Sequence, residues 1–196
     1  PMPQHPSAQP SHFNAYPFKA KGFTLVELLC TIALLGIIVA LAAPSFSTLI
    51  QRMRIRQVVM ELKGALYVAR SEAVRRAEDI KLRKRDSAEG NNCTGTANDW
   101  SCGWIVFLDS DGDGSYSEAN TAEPDELLRS FPAPIDTAVR FTSNASVLTV
   151  NRWGTINGVG AGFVVSPQSP GSSDFVITVC VSTGGRVRTV LDDHCS

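Results

Sequence analysis

The sequence predicts an α+β fold, a long N-terminal helix packed on an antiparallel β-sheet head, and three observations predict it. Phe23–Ala43 is a nearly uninterrupted apolar run. Beyond Pro44 the apolar residues recur every three or four positions. After about Ile80 the chain breaks into seven short apolar runs separated by Gly, Pro, Asn and Ser clusters. A helix followed only by strands reads as α+β, with the sheet laid on the apolar face of the helix.

Taken in order, the first eighteen residues (PMPQHPSAQPSHFNAYPF) lack any helical or strand period and read as disordered. Residues 23–43 then supply a transmembrane helix, since ~20 apolar residues cross a hydrocarbon core of ~30 Å. Lys19 and Lys21 stand immediately before it. The positive-inside rule therefore places the N-terminus in the cytoplasm and the remainder outside, on a single pass. The run is long for a secretory signal and the helix continues past it, which argues against a conventional cleaved signal peptide.

Residues 44–80 read as an amphipathic helix. Ile55, Val59, Leu62, Leu66, Ala69, Ala73, Ala77 and Ile80 form one face. Arg52, Arg54, Arg56, Lys63, Arg70, Arg75 and Arg76 form the other, a solvated face with internal ion pairs such as Glu72 with Arg76. The head, 81–196, contains the runs WIVFLD, ELLRSF, AVRFTS, VLTVNRW, GFVVS, DFVITVCV and GRVRTVL as strands and hairpins.

The charge is divided along the chain. Residues 52–85 hold eleven Lys or Arg against four acids, whereas 86–125 hold no Lys or Arg at all. With a net charge of −1, this predicts a basic stem and an acidic loop region, not a uniformly basic surface.

Glu27 is the anomaly of the apolar run. A carboxylate inside a membrane helix costs about 2.5–3.5 kcal/mol on insertion scales, so it either stays wet at the interface or meets a positive partner. The string Lys21-Gly22-Phe23-Thr24-Leu25-Val26-Glu27 closely resembles the processing site of type IV prepilins and type II secretion pseudopilins. That resemblance implies a leader, 1–22, removed by prepilin peptidase after Gly22, and methylation of the new N-terminal Phe23. It also implies that Glu27 neutralises a subunit's N-terminal ammonium during assembly, and that Pro44 marks a kink or local melting point where the helix leaves the apolar stretch. The partners implied are prepilin peptidase, other major and minor pilins, and the inner membrane before assembly. The head would be periplasmic, then surface-exposed in the pilus. The β-rich head, with its WIVFLDSDGDG segment and C-terminal hairpin, resembles the GspH/FimT/FimU group of minor pilins.

Of five cysteines, Cys30 lies in the apolar helix and reads as a packing residue. The other four belong to an exported head, where oxidation is favoured. Cys93–Cys102 with Cys180–Cys195 is the simplest of three possible connectivities. No metal site or cofactor is expected, because the cysteine spacings do not fit zinc and the head has the single histidine His194. Asp109-Ser110-Asp111-Gly112-Asp113-Gly114 opens like a calcium loop, but its twelfth position is Asn120 and strands flank it, so it reads as an acidic turn. No nucleophile accompanies His194 and no glycine-rich phosphate loop precedes a helix, so no catalytic set is present and an enzyme is not expected.

The last distinctive stretch is Gly184-Gly185-Arg186-Val187-Arg188. Arg186 and Arg188 fall on one face of a strand about 7 Å apart, similar to successive phosphates on a nucleic acid strand. The motif resembles the GRxR signature of FimT, carried here by Gly185, Arg186 and Arg188. It implies capture of double-stranded DNA, without sequence specificity, for natural transformation. Arg152 and 81–85 would extend a basic patch if they converged. The other reading is a solubilising hairpin on a FimU- or GspH-like subunit that primes assembly of a pilus or a secretion pseudopilus.

Overall fold

A computed structural model describes residues 22–86, 95–117, 124–157, 161–169 and 175–195, with the backbone alone at 42–45. The leader up to Lys21, with Lys19, and also Cys93 and Asn120 lie outside the described residues, while Gly22 is described. Helix α1 spans Leu25–Arg76, and the chain divides at Ala43/Pro44 into two compact units.

In the first unit α1 opens on a cap. The Glu27 amide donates to Thr24 Oγ1 at 3.2 Å and the Leu28 amide to the Thr24 carbonyl at 3.1 Å. Thr24-x-x-Glu27 is thus a capping-box sequence, and Glu27 sits in the first turn where the helix dipole favours a negative charge. From Gly22 to Leu41 every described side chain is exposed. Such a face needs lipid or other helices to cover it. No single helix among the described residues is long and apolar enough to cross a membrane, although Leu25–Leu41 and Phe46–Arg76 together meet that test.

In the second unit the helix is amphipathic. Ile55, Val58, Val59, Leu62, Ala65, Leu66, Ala69 and Ala73 are buried on one face. The helix ends at Arg76, four residues before the end predicted above. Ala77 takes a left-handed φ of 58°, and the Glu78 amide reaches back to the Ala73 carbonyl at 3.3 Å. This is a Schellman-type stop made without glycine.

The four-residue difference has a consequence. Ile80–Lys84, placed at the helix end by its spacing, is strand β1. It lies at the centre of a five-stranded antiparallel sheet in the order β3-β2-β1-β5-β6. Its partners are β2 (Trp104–Leu108), β3 (Glu126–Phe131), β5 (Val147–Val150) and β6 (Ile156–Asn157). A second antiparallel sheet has the order β4-β7-β8-β9, from Thr137–Phe141, Ala161–Pro167, Ile177–Val181 and Val187–Val190.

One core joins the helix face to both sheets. Trp100 stands at its centre, 5.0 Å from the Phe163 ring and 5.8 Å from Phe141, with Nε1 donating to the Ala145 carbonyl at 3.2 Å. Burying each such aromatic contributes about 1.5–3 kcal/mol, which makes the Trp100 cluster a main anchor of the second sheet.

Candidate nucleic-acid interface

β8 and β9 are joined by a tight turn at Ser182–Gly185. The Gly185 amide donates to the Ser182 carbonyl at 2.8 Å, the Ser182 amide to the Arg186 carbonyl at 3.0 Å, and the Arg186 amide to Ser182 Oγ at 3.1 Å. Gly185 has φ +76°, a conformation that favours glycine. There is also no room for a side chain there. A Cβ on Gly185 would lie 2.5 Å from the Gly154 carbonyl oxygen and 3.1 Å from Arg70 Nη1. Arg70 reaches up from α1 and donates to the Gly185 carbonyl at 3.1 Å.

Beyond the turn the side chains alternate. Val187 is half-buried and packs on the core, while Arg186 and Arg188 are exposed. Arg188 lies directly opposite Cys180 in the β8–β9 register. Both arginines line a cavity of about 280 Å³ together with Cys180, Val181, Ser182 and Cys195. Neither guanidinium has a hydrogen bond or ion pair among the described residues.

The C-terminal tail forms one wall of this cavity. Cys180 and Cys195 are joined by a disulfide. Thr178 Oγ1 donates to the Asp192 carbonyl, and Cys195 Sγ lies where a Cβ on Gly162 would be, at 2.6 Å. The tail therefore crosses the outer face of β8 and β7, which explains why every residue of β8 is buried. Cys102 is disulfide-bonded as well, while Cys93, its expected partner, lies outside the described residues.

The wider basic patch does not form. Lys81 Nζ donates to Thr149 Oγ1 at 3.1 Å and stands 3.6 Å from Asp109 Oδ2. Arg83 is held by the Gly114 carbonyl and by Asp86. Arg152 lines a separate cavity of about 820 Å³ with Glu78, Asp79 and Asp109. Along α1, Arg54 pairs with Asp136, and Arg76 bridges Glu72 and Glu126. The helix arginines thus mostly tie the head together, and among the described residues Arg186 and Arg188 have no such partner.

The acidic turn directs its carboxylates at its own backbone. Asp109 accepts from the Gly112 and Gly114 amides at 3.0 and 3.1 Å. The buried Asp125 accepts from Ser110 and Ser117 at 2.9 and 2.8 Å. Asp109, Asp111 and Asp125 each place an oxygen within 4.8 Å of the others, with Lys81 beside them as a protein cation.

Sequence reasoning missed Arg70, Gly154 and Gly162 because their roles depend on distant segments. It also placed Trp153 inside a strand run, whereas Trp153 sits in the β5–β6 turn and is 77% exposed.

Residues 58–185 match the family model described as type II transport protein GspH, and residues 17–43 match the prokaryotic N-terminal methylation motif. Among curated proteins, the chain is 32% identical over 99 residues to a type IV major fimbrial protein FimA of Dichelobacter nodosus, covering 50% of each. It is 29% identical over 114 residues to a fimbrial protein of the same organism, covering 54% of this chain and 60% of that one. The chain thus spans only about half of these relatives' length. In fold it is similar to the type IV minor pilin FimU of Pseudomonas aeruginosa, with a TM-score of 0.51 and 20% identity over 71% of this chain and 90% of that one. A helix capped at Thr24, exposed and apolar to Leu41, leading into a head matched over 128 residues, leaves one conclusion: the chain belongs to the GspH family and carries the prokaryotic N-terminal methylation motif.

Proposed function

We propose that this chain is a minor pilin that captures double-stranded DNA at the cell surface through Arg186 and Arg188. The observation that carries this reading is the pair of exposed guanidinium groups on one face of the last hairpin, with no hydrogen bond or ion pair among the described residues. Guanidinium binds phosphate through a planar fork of donors, and two such groups at strand spacing suit adjacent phosphates. Binding of this kind is not sequence-specific and weakens with salt as counterions compete.

In the same reading, prepilin peptidase cuts after Gly22 and the new Phe23 terminus is methylated. The N-terminus faces the cytoplasm and the head the periplasm, and the apolar helix waits in the inner membrane until it joins other pilins. Glu27, in the first turn of α1, then meets the ammonium of a neighbouring Phe23 where neither charge is stable alone. Pro44 supplies the point at which the helix yields as it packs.

The test uses the full chain in nonionic detergent micelles, titrated with a labelled duplex at several salt concentrations. Wild type binds and weakens steeply with salt, and Arg186→Gln/Arg188→Gln loses binding while keeping its thermal midpoint. Equal binding by a folded double variant contradicts the proposal. A second reading, favoured by the family model's type II transport description, is a FimU- or GspH-like subunit that primes filament or pseudopilus assembly. It is the reading left standing if wild type does not bind.

A further inference from the structure

The chain has three tryptophans, and two of them, Trp100 and Trp104, are fully buried. Trp153 is 77% exposed on the turn between β5 and β6. A single exposed apolar residue is ordinary, so its position has to carry the argument. That turn is stiff. The Asn151 side-chain oxygen accepts from the Trp153 and Thr155 amides at 3.0 Å each, and the Gly154 amide donates to the Asn151 carbonyl at 2.7 Å. The ring is thus held out from the body on a fixed backbone.

The same turn is fastened to the arginine hairpin. The Ile156 amide donates to the Thr183 carbonyl at 3.0 Å, linking the two turns across the two sheets. The Gly154 carbonyl touches the space beside Gly185 so closely that a Cβ there would be 2.5 Å away. Arg70 lies beneath both turns, 2.9 Å from where a Cβ on Gly154 would stand and bonded to the Gly185 carbonyl at 3.1 Å. Gly154 and Gly185 both adopt left-handed φ, +73° and +76°. Trp153 is one residue from the first contact point and Arg186 one residue from the second. The turn that carries the exposed Trp153 and the turn that leads into Arg186 and Arg188 are therefore fastened side by side.

Phosphate-binding arginines beside an exposed indole are the two components by which proteins hold unpaired nucleic acid strands, because every base offers a π-face. We propose that Trp153 is a base-stacking residue of the DNA site, so that the site binds single-stranded DNA, or the unpaired ends of a duplex, more tightly than duplex interior. This rests on the DNA reading above: the arginines hold the phosphates and Trp153 adds a contact that a base-paired stretch cannot make.

The test uses the full chain in nonionic micelles with two probes, a short oligothymidylate and a blunt duplex of equal length. Anisotropy of labelled DNA reports affinity, and a DNA-dependent change in intrinsic emission that Trp153→Ala abolishes reports Trp153, since the buried Trp100 and Trp104 emit but are out of reach of the DNA bases. Oligothymidylate is expected to quench the emission. Trp153→Ala is expected to weaken oligothymidylate binding at least ~5-fold, the lower end of what one stacked base contributes, with duplex affinity changed less than ~2-fold. Trp153→Phe, which keeps a ring, should recover most of the loss. If oligothymidylate binds through Arg186 and Arg188 but Trp153→Ala changes nothing and the emission is unmoved, the inference fails while the DNA reading stands. If neither probe binds wild type, both fail, and Trp153 is better explained as a contact with a neighbouring subunit.

Discussion

Gly185 shows how one residue joins the motif to the fold. The paired glycines mark a turn in the sequence itself, but the demand at Gly185 is stricter than turn geometry. Its carbonyl is held by Arg70, 115 positions away, and its missing side chain admits the Gly154 carbonyl. Gly184 meets nothing within 4 Å and carries no such demand. Gly185→Ala is therefore expected to cost about 1–3 kcal/mol, from left-handed strain and the clash together. Thermal unfolding would show it, and DNA affinity should fall as Arg186 is displaced. An unchanged midpoint would mean that the two turns are not fastened as described. The arginine pair was legible because strand alternation around Val187 puts both on one side. Arg70 was not, because nothing local ties a helix arginine to a turn more than a hundred residues later.

At the scale of elements, the end of α1 is the instructive case. Ala77 and Ile80 continue the apolar period and no glycine or proline interrupts it, so periodicity alone carries the helix too far. The stop is an alanine in a left-handed conformation, with β1 following at once. The ILE-LYS-LEU-ARG-LYS stretch does alternate, with Ile80, Leu82 and Lys84 buried, yet five residues next to a long helix give that period little weight. Glu72 was foreseen as a partner of Arg76, and the structure adds Arg75 and a bridge onward to Glu126. Hydrogen bonds from Arg75 and then Arg76 hold the Glu72 carboxyl down at about 2, against an ordinary 4.5. The sign follows from that depression. The contribution is complete above about 4.5 and is lost as pH falls through about 2. Glu72→Gln should lower stability at neutral pH by about 1 kcal/mol and flatten the decline across that acid window. Glu126, lowered by its hydrogen bonds to Arg76, leaves a residual slope of the same sign. A melting-temperature series against pH for both proteins checks this, and parallel curves would contradict it.

The whole molecule divides its tasks as its sequence divides its composition. The apolar helix from Phe23 to Leu41 presents only exposed side chains, which suits a segment to be covered by membrane and then by other pilins. Several cations of the basic stem are engaged within the head: Lys81 meets Asp109 and Arg83 meets Asp86 of the acidic region, while Arg54 pairs with Asp136 and Arg76 with Glu126. That mutual engagement is invisible in composition, where the stem looks like a broad basic surface. At the last hairpin Arg186 and Arg188 line one cavity with no ion pair among the described residues. The most direct measurement of their role would be made in the bacterium that encodes this chain, with the gene replaced by wild type or Arg186→Gln/Arg188→Gln, counting surface filaments and labelled DNA bound per cell. The account predicts equal filament numbers and loss of bound DNA in the variant. Filaments and bound DNA falling together, or DNA binding unchanged, would contradict it.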